Sequence, residues 1–128
     1  MPQYMLLIYT PTESPFSPEE LAEQGARWDE YTKSLVDAGL FVGGDALQGL
    51  EVATTVRERD GQTQITDGPF AETKEFLAGY YLLEAPNLDT VLEHAARIPN
   101  VSYGSVEVRP VWDRTQPRMQ AEQEQARA

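Results

Sequence analysis

Cysteine is absent from the 128-residue chain, which excludes a disulfide framework, a thiolate metal site and a cysteine nucleophile at once. Basic residues are scarce: ten Lys and Arg stand against 21 Asp and Glu, for a formal charge of −11. No basic cluster exists to form a face for a phosphate backbone or an anionic lipid surface, so neither nucleic acid nor membrane is expected as a partner. Long apolar runs are missing too. The apolar stretch at residues 3 to 10 is far too short to span a bilayer, with no basic region before it and no small-residue cleavage site after it, so a cytoplasmic protein is expected. There is one histidine, His94, and no spacing of carboxylates around it resembles a metal-ligand set. Gly43-Gly44 lacks the strand-to-helix setting and the lysine of a phosphate loop. No cofactor is expected.

What remains is ordinary globular material: 41% hydrophobic and 24% charged residues, enough for a packed core. The length fits one domain, placed at residues 1 to 112. Residues 113 to 128 form a polar tail with three acids (Asp113, Glu122, Glu124), three bases (Arg114, Arg118, Arg127) and Met119 as the sizeable apolar residue, so flexibility is expected there.

Residues 3 to 10 and 76 to 83 are apolar at both odd and even positions, the pattern of central strands buried on two faces. Ser17-Pro18-Glu19-Glu20 is a helix start, with Ser17 as cap, Pro18 in the first position and Glu20 able to close a capping box. In the helix that follows, Leu21, Gly25, Trp28, Tyr31, Thr32 and Leu35 recur on one stripe, and Gly39 ends it. Residues 41 to 49 read as an irregular link with a short strand. Asp60-Gly61 between residues 51 to 59 and 62 to 66 signals an outer hairpin. A second helix is expected over Leu88 to Ile98, with Leu88, Val91, Leu92, Ala95 and Ile98 inward, and a last strand over Ser105 to Trp112.

The order β-α-β-β-β-α-β predicts an α+β, ferredoxin-like sheet with two helices on one face. Two helices cover one side only, while the central strands are apolar on both. A second copy packed against the open side, giving a homodimeric α/β barrel with a cavity between sheet and loops, is the economical way to cover it.

Residues 67 to 75, Asp-Gly-Pro-Phe-Ala-Glu-Thr-Lys-Glu, lie between the hairpin and the second central strand. Together with Trp28 and Tyr31, Ala38-Gly39, Gly44, Leu47 and Phe76-Leu77-Ala78-Gly79-Tyr80-Tyr81, they resemble the DGPF branch of the YCII-related proteins over about residues 3 to 112. The resemblance implies a ferredoxin-like, dimeric α/β barrel. It also implies a setting near regulation by extracytoplasmic-function sigma factors, beside which such proteins are often encoded. Some YCII-like relatives carry a histidine on the first helix that pairs with an aspartate in acid-base work. Here residues 18 to 38 contain no histidine, and residues 25 to 28 stand where it is expected. His94 falls beside the apolar stripe of the second helix, the place of a structural histidine.

Asp67-Gly68-Pro69 has turn chemistry, which explains those three residues without a site. Turn formation leaves Glu72, Lys74 and Glu75 unexplained. They crowd the edge of an apolar strand, as a solvated rim or as the mouth of a pocket whose charges tune one another. Tyr4, Trp28, Phe70, Tyr80 and Tyr81 can supply aromatic walls, although each also suits a core. Two functions follow. One is a module that binds an unidentified small molecule, with Tyr4, Trp28, Phe70, Lys74, Glu75 and Tyr81 as contacts. The other is a lyase or isomerase using Asp67 or Glu72 as general acid-base. The missing helix histidine favours binding.

Overall fold

The computed structural model describes residues 1–69, 71 and 73–113. The polar tail from residue 114, Phe70 and Glu72 lie outside the described residues. Along the chain come β1 (Gln3–Pro11), α1 (Pro18–Asp37), β2 (Phe41–Ala46), β3 (Thr54–Arg59), β4 (Gln62–Asp67), β5 (Glu75–Glu84), α2 (Leu88–Ala95) and β6 (Ser105–Pro110). The two strands with apolar residues on both alternations, β1 and β5, take the centre of an antiparallel sheet ordered β2-β5-β1-β6. With two helices this is an α+β arrangement compatible with a ferredoxin-like fold, into which the β3–β4 hairpin is inserted.

Helix α1 begins as its sequence dictates. Ser17 accepts from the Glu20 amide while Glu20 reaches back to the Ser17 amide, and Pro18 stands in the first turn. It ends at Ala38, followed by Gly39 at φ 75°, a conformation that favours glycine. Helix α2 is shorter than expected. Ile98 precedes Pro99, whose ring disfavours a helical backbone at the residue before it, and Ile98 is extended at ψ 134°. A 3-10 turn at Pro99–Ser102 follows, held by the fully buried Asn100, whose amide donates to the carbonyls of Tyr9 at 2.9 Å and Ser105 at 3.3 Å.

One face of the sheet carries the core. Tyr4, Leu6 and Ile8 of β1 and Tyr81 and Leu83 of β5 pack with Tyr31 and Leu35 of α1 and Val91 and Ala95 of α2. The Tyr31 hydroxyl donates to the His94 carbonyl at 2.6 Å and ties the two helices together. His94 itself has its Nδ1 3.0 Å from the Thr90 carbonyl, a bond that turns the ring along its own helix. The opposite face presents Met5, Leu7, Tyr9, Leu77, Tyr80 and Leu82, half-buried in the single chain.

Two expectations about the helix stripes need correction. Leu21 and Gly25 were expected in the buried stripe of α1, yet both are exposed, because the helix packs closely only from Tyr31 onward. On α2, Leu88 and Leu92 are exposed and only Val91 and Ala95 are buried, since eight residues offer the sheet a narrow stripe. The outer hairpin has the positive φ angles at Asp60 and Gly61 that a tight two-residue turn demands, and it forms a two-stranded sheet of its own. Its apolar pair Val56 and Ile65 faces solvent at 65% and 72% exposure.

Candidate functional site

A cavity of about 490 Å³ lies between the middle of α1 and the core face of the sheet, within the size range of small-molecule sites. Small residues create it. Gly25 contributes no side chain from the helix, and Gly44, Ala46, Ala78 and Gly79 line the β2–β5 side. The two strand glycines are required by the close approach of their backbones. A Cβ at Gly44 would stand 2.7 Å from the Tyr80 carbonyl oxygen, and one at Gly79 would stand 2.8 Å from that of Asp45. A Cβ at Gly25 would meet nothing within 4 Å, so packing does not demand glycine there. Ala78 enters through a bulge. Ile8 pairs with Gly79 and Tyr9 with Leu77, which leaves Ala78 unopposed and exchanges the faces of β5 beyond it.

The walls are aromatic. Tyr81 is central: Trp28 stacks on it at 6.5 Å, Tyr31 tilts against it at 5.8 Å and Phe41 meets it edge-on at 6.3 Å. The Tyr81 hydroxyl lies 2.6 Å from Thr32 Oγ1, and that oxygen lies 3.0 Å from the Trp28 carbonyl. Thr32 has one proton, and giving it to the Trp28 carbonyl leaves Tyr81 as the donor to Thr32. Burial raises the Tyr81 hydroxyl above the usual tyrosine range, and the Asp29 carboxylate adds to the rise. Tyr103 is raised by burial as well, against the opposing pull of Arg27 and of a hydrogen bond from Trp28. On β2, Asp45 accepts from the Tyr80 hydroxyl at 3.0 Å, and this bond, then the carboxylate's charge, raises Tyr80. At neutral pH all these phenols are protonated.

Of the contacts expected from the sequence, Trp28 and Tyr81 come together in this cavity. Tyr4, Lys74 and Glu75 stand elsewhere. Tyr4 is in the core on the same sheet face, Lys74 is exposed with its carbonyl accepting from Thr12 at 2.9 Å, and Glu75 accepts from the Ser105 hydroxyl at 3.2 Å. Asp67 is exposed at the end of β4, paired with Thr54 and followed by Gly68 at φ 104°. Phe70 and Glu72 lie outside the described residues. Sequence reasoning missed Asp29, Phe41 and Tyr103 as cavity residues. Gly25 was the available signal, because a glycine inside a helix costs about 1 kcal/mol relative to alanine and is otherwise unexplained. No group of three or more metal-ligating side chains occurs among the described residues, and none of their helices is long and apolar enough to cross a membrane.

Against known proteins, residues 2–115 match the family model of the YCII-related domain. An uncharacterized protein of Rhizobium meliloti (strain 1021) is 42% identical over 81 residues, which make up 62% of this chain and 65% of that protein. The match thus spans just under two thirds of the relative's length.

Proposed function

The chain belongs to the YCII-related family, and from that premise we propose that it binds a small apolar or aromatic molecule between α1 and the β2–β5 floor. The observation that carries this reading is the cavity of about 490 Å³, walled by Trp28, Phe41 and Tyr81 and left open by Gly25. Trp28 and Tyr81 are its contacts. Fold alone does not set function, which resides in the site. Acid-base chemistry at Asp67 has no comparable support, since that carboxylate is exposed on the hairpin and is not among the residues lining the cavity. The motif from Asp67 to Glu75 supports placing the chain in the DGPF branch of the family.

The protein works as a homodimer in this reading, with the open sheet face of Met5, Leu7, Tyr9, Leu77, Tyr80 and Leu82 covered by a second copy. The ligand cavity lies on the other face, so each subunit holds its own site.

Gly25→Leu tests the binding reading. The added side chain has open space to enter, and replacing a mid-helix glycine favours folding by about 1 kcal/mol. A thermal-shift screen of small aromatic compounds should give hits on the wild type that vanish on Gly25→Leu, whose own melting temperature is equal or higher. Hits that stabilise both proteins equally refute the site.

A further inference from the structure

Resting on the cavity reading above, we infer that the cavity selects an organic cation, a protonated or quaternary amine carried on an apolar body. Three observations converge on positive charge. First, the described residues lining the cavity include the acidic Asp29 and no lysine or arginine, while the carboxylate of Asp45, the other acidic residue at the lining, is spent on the Tyr80 hydroxyl on the opposite sheet face. Second, the walls are Trp28, Phe41, Tyr81 and Tyr103, and the electron-rich faces of such rings attract cations that have shed part of their water.

Third, the hydrogen-bond directions leave acceptors rather than donors. The Tyr81 proton goes to Thr32 and the Thr32 proton to the Trp28 carbonyl. The Tyr80 proton goes to Asp45. What stays open is the second lone pair of the Tyr81 oxygen and the Asp29 carboxylate, which is close enough to act on Tyr81 electrostatically. A ligand that donates protons or brings positive charge satisfies both, whereas a carboxylate or phosphate placed at that end meets the like charge of Asp29. Arg27 acts on Tyr103, so the ligand's charged end belongs at the Asp29 side and its apolar body toward Tyr103.

Three probes that share one ring and differ in charge test the inference on the full chain: benzyltrimethylammonium, benzyl alcohol and phenylacetate, titrated by calorimetry. The cation should bind about tenfold or more tighter than the alcohol, the ratio expected of one favourable cation–π or charge contact, with phenylacetate weakest. Asp29→Asn should weaken the cation several-fold and leave the alcohol unchanged. Because the whole chain carries a charge of −11, Glu30→Gln is the control: it removes the same charge from the same exposed stretch of α1 and should leave the cation's affinity as it was. If the alcohol binds as tightly as the cation, if phenylacetate binds best, or if Glu30→Gln weakens the cation as much as Asp29→Asn, the charge selection is wrong while the cavity reading stands. If none of the three probes binds and the Gly25→Leu screen is also without effect, both fall.

Discussion

Removing a single oxygen at Tyr81 separates the hydroxyl's role from the ring's. Tyr81→Phe keeps the ring against Trp28, Tyr31 and Phe41 and deletes the bond to Thr32 at 2.6 Å. A hydrogen bond of this kind contributes about 1 kcal/mol net, and the larger penalty for an orphaned partner does not arise, because Thr32 keeps its bond to the Trp28 carbonyl at 3.0 Å. The expected loss is therefore about 0.5–1.5 kcal/mol, or roughly 4 °C in melting temperature for a domain of this size. Tyr81→Ala, by contrast, empties the centre of the aromatic cluster at a residue only 7% exposed and should cost about 3–5 kcal/mol. That is a large fraction of the roughly 5–15 kcal/mol that holds a domain together. Urea titrations followed by far-ultraviolet circular dichroism, with the slope checked for constancy, give both numbers. A phenylalanine variant as stable as the wild type, or one as damaged as the alanine variant, would refute this division of labour between hydroxyl and ring.

Gly44→Ala should lose about 1–3 kcal/mol in the same titrations, because its Cβ would press on the Tyr80 carbonyl oxygen and Tyr81 Cδ1 at 2.7 and 2.8 Å and backbone must move. Alkaline pH should destabilise the fold. Tyr31 and Tyr81 have hydroxyls raised by burial, so the unfolded chain loses these protons first, and stability that is complete below about pH 10 falls above it by at most about 1.4 kcal/mol per unit for each tyrosine. Screening by solvent makes the observed slope smaller. A flat stability between pH 9 and 11.5 contradicts it, and Tyr81→Phe should lower the slope. Ile65→Thr should change stability by less than about 0.5 kcal/mol, since Ile65 is 72% exposed on the hairpin; a loss of more than 1 kcal/mol would show that another surface covers it. Leu82→Glu on the open sheet face should convert a dimer to monomer in light scattering without unfolding it, and a wild type that is already monomeric at micromolar concentration removes the dimer from the proposal.

The sequence by itself determined the elements and their order, because those signals are local. A capping box at Ser17 and Glu20, a glycine after Ala38, the Asp60-Gly61 turn and the unbroken apolar runs of β1 and β5 each act within a few residues. The extent of helix α2 was less legible, since the proline at position 99 stops the helix short of the apolar periodicity that runs to Ile98. Tertiary structure alone decided the site. Whether Gly25 is buried or open depends on how far α1 stands from the sheet, a distance set by Tyr31 and Leu35 packing against the core further along the same helix. Periodicity gives a residue's angle around the helix and carries no information about what lies opposite. The Ala78 bulge, which adds a residue to β5 and brings its backbone to the cavity, has no local signature either. Asp67 and its neighbours drew attention because a charged run before an apolar strand is conspicuous in one dimension. Asp29, inside an ordinary polar helical stretch, became a candidate only when folding set it beside Tyr81.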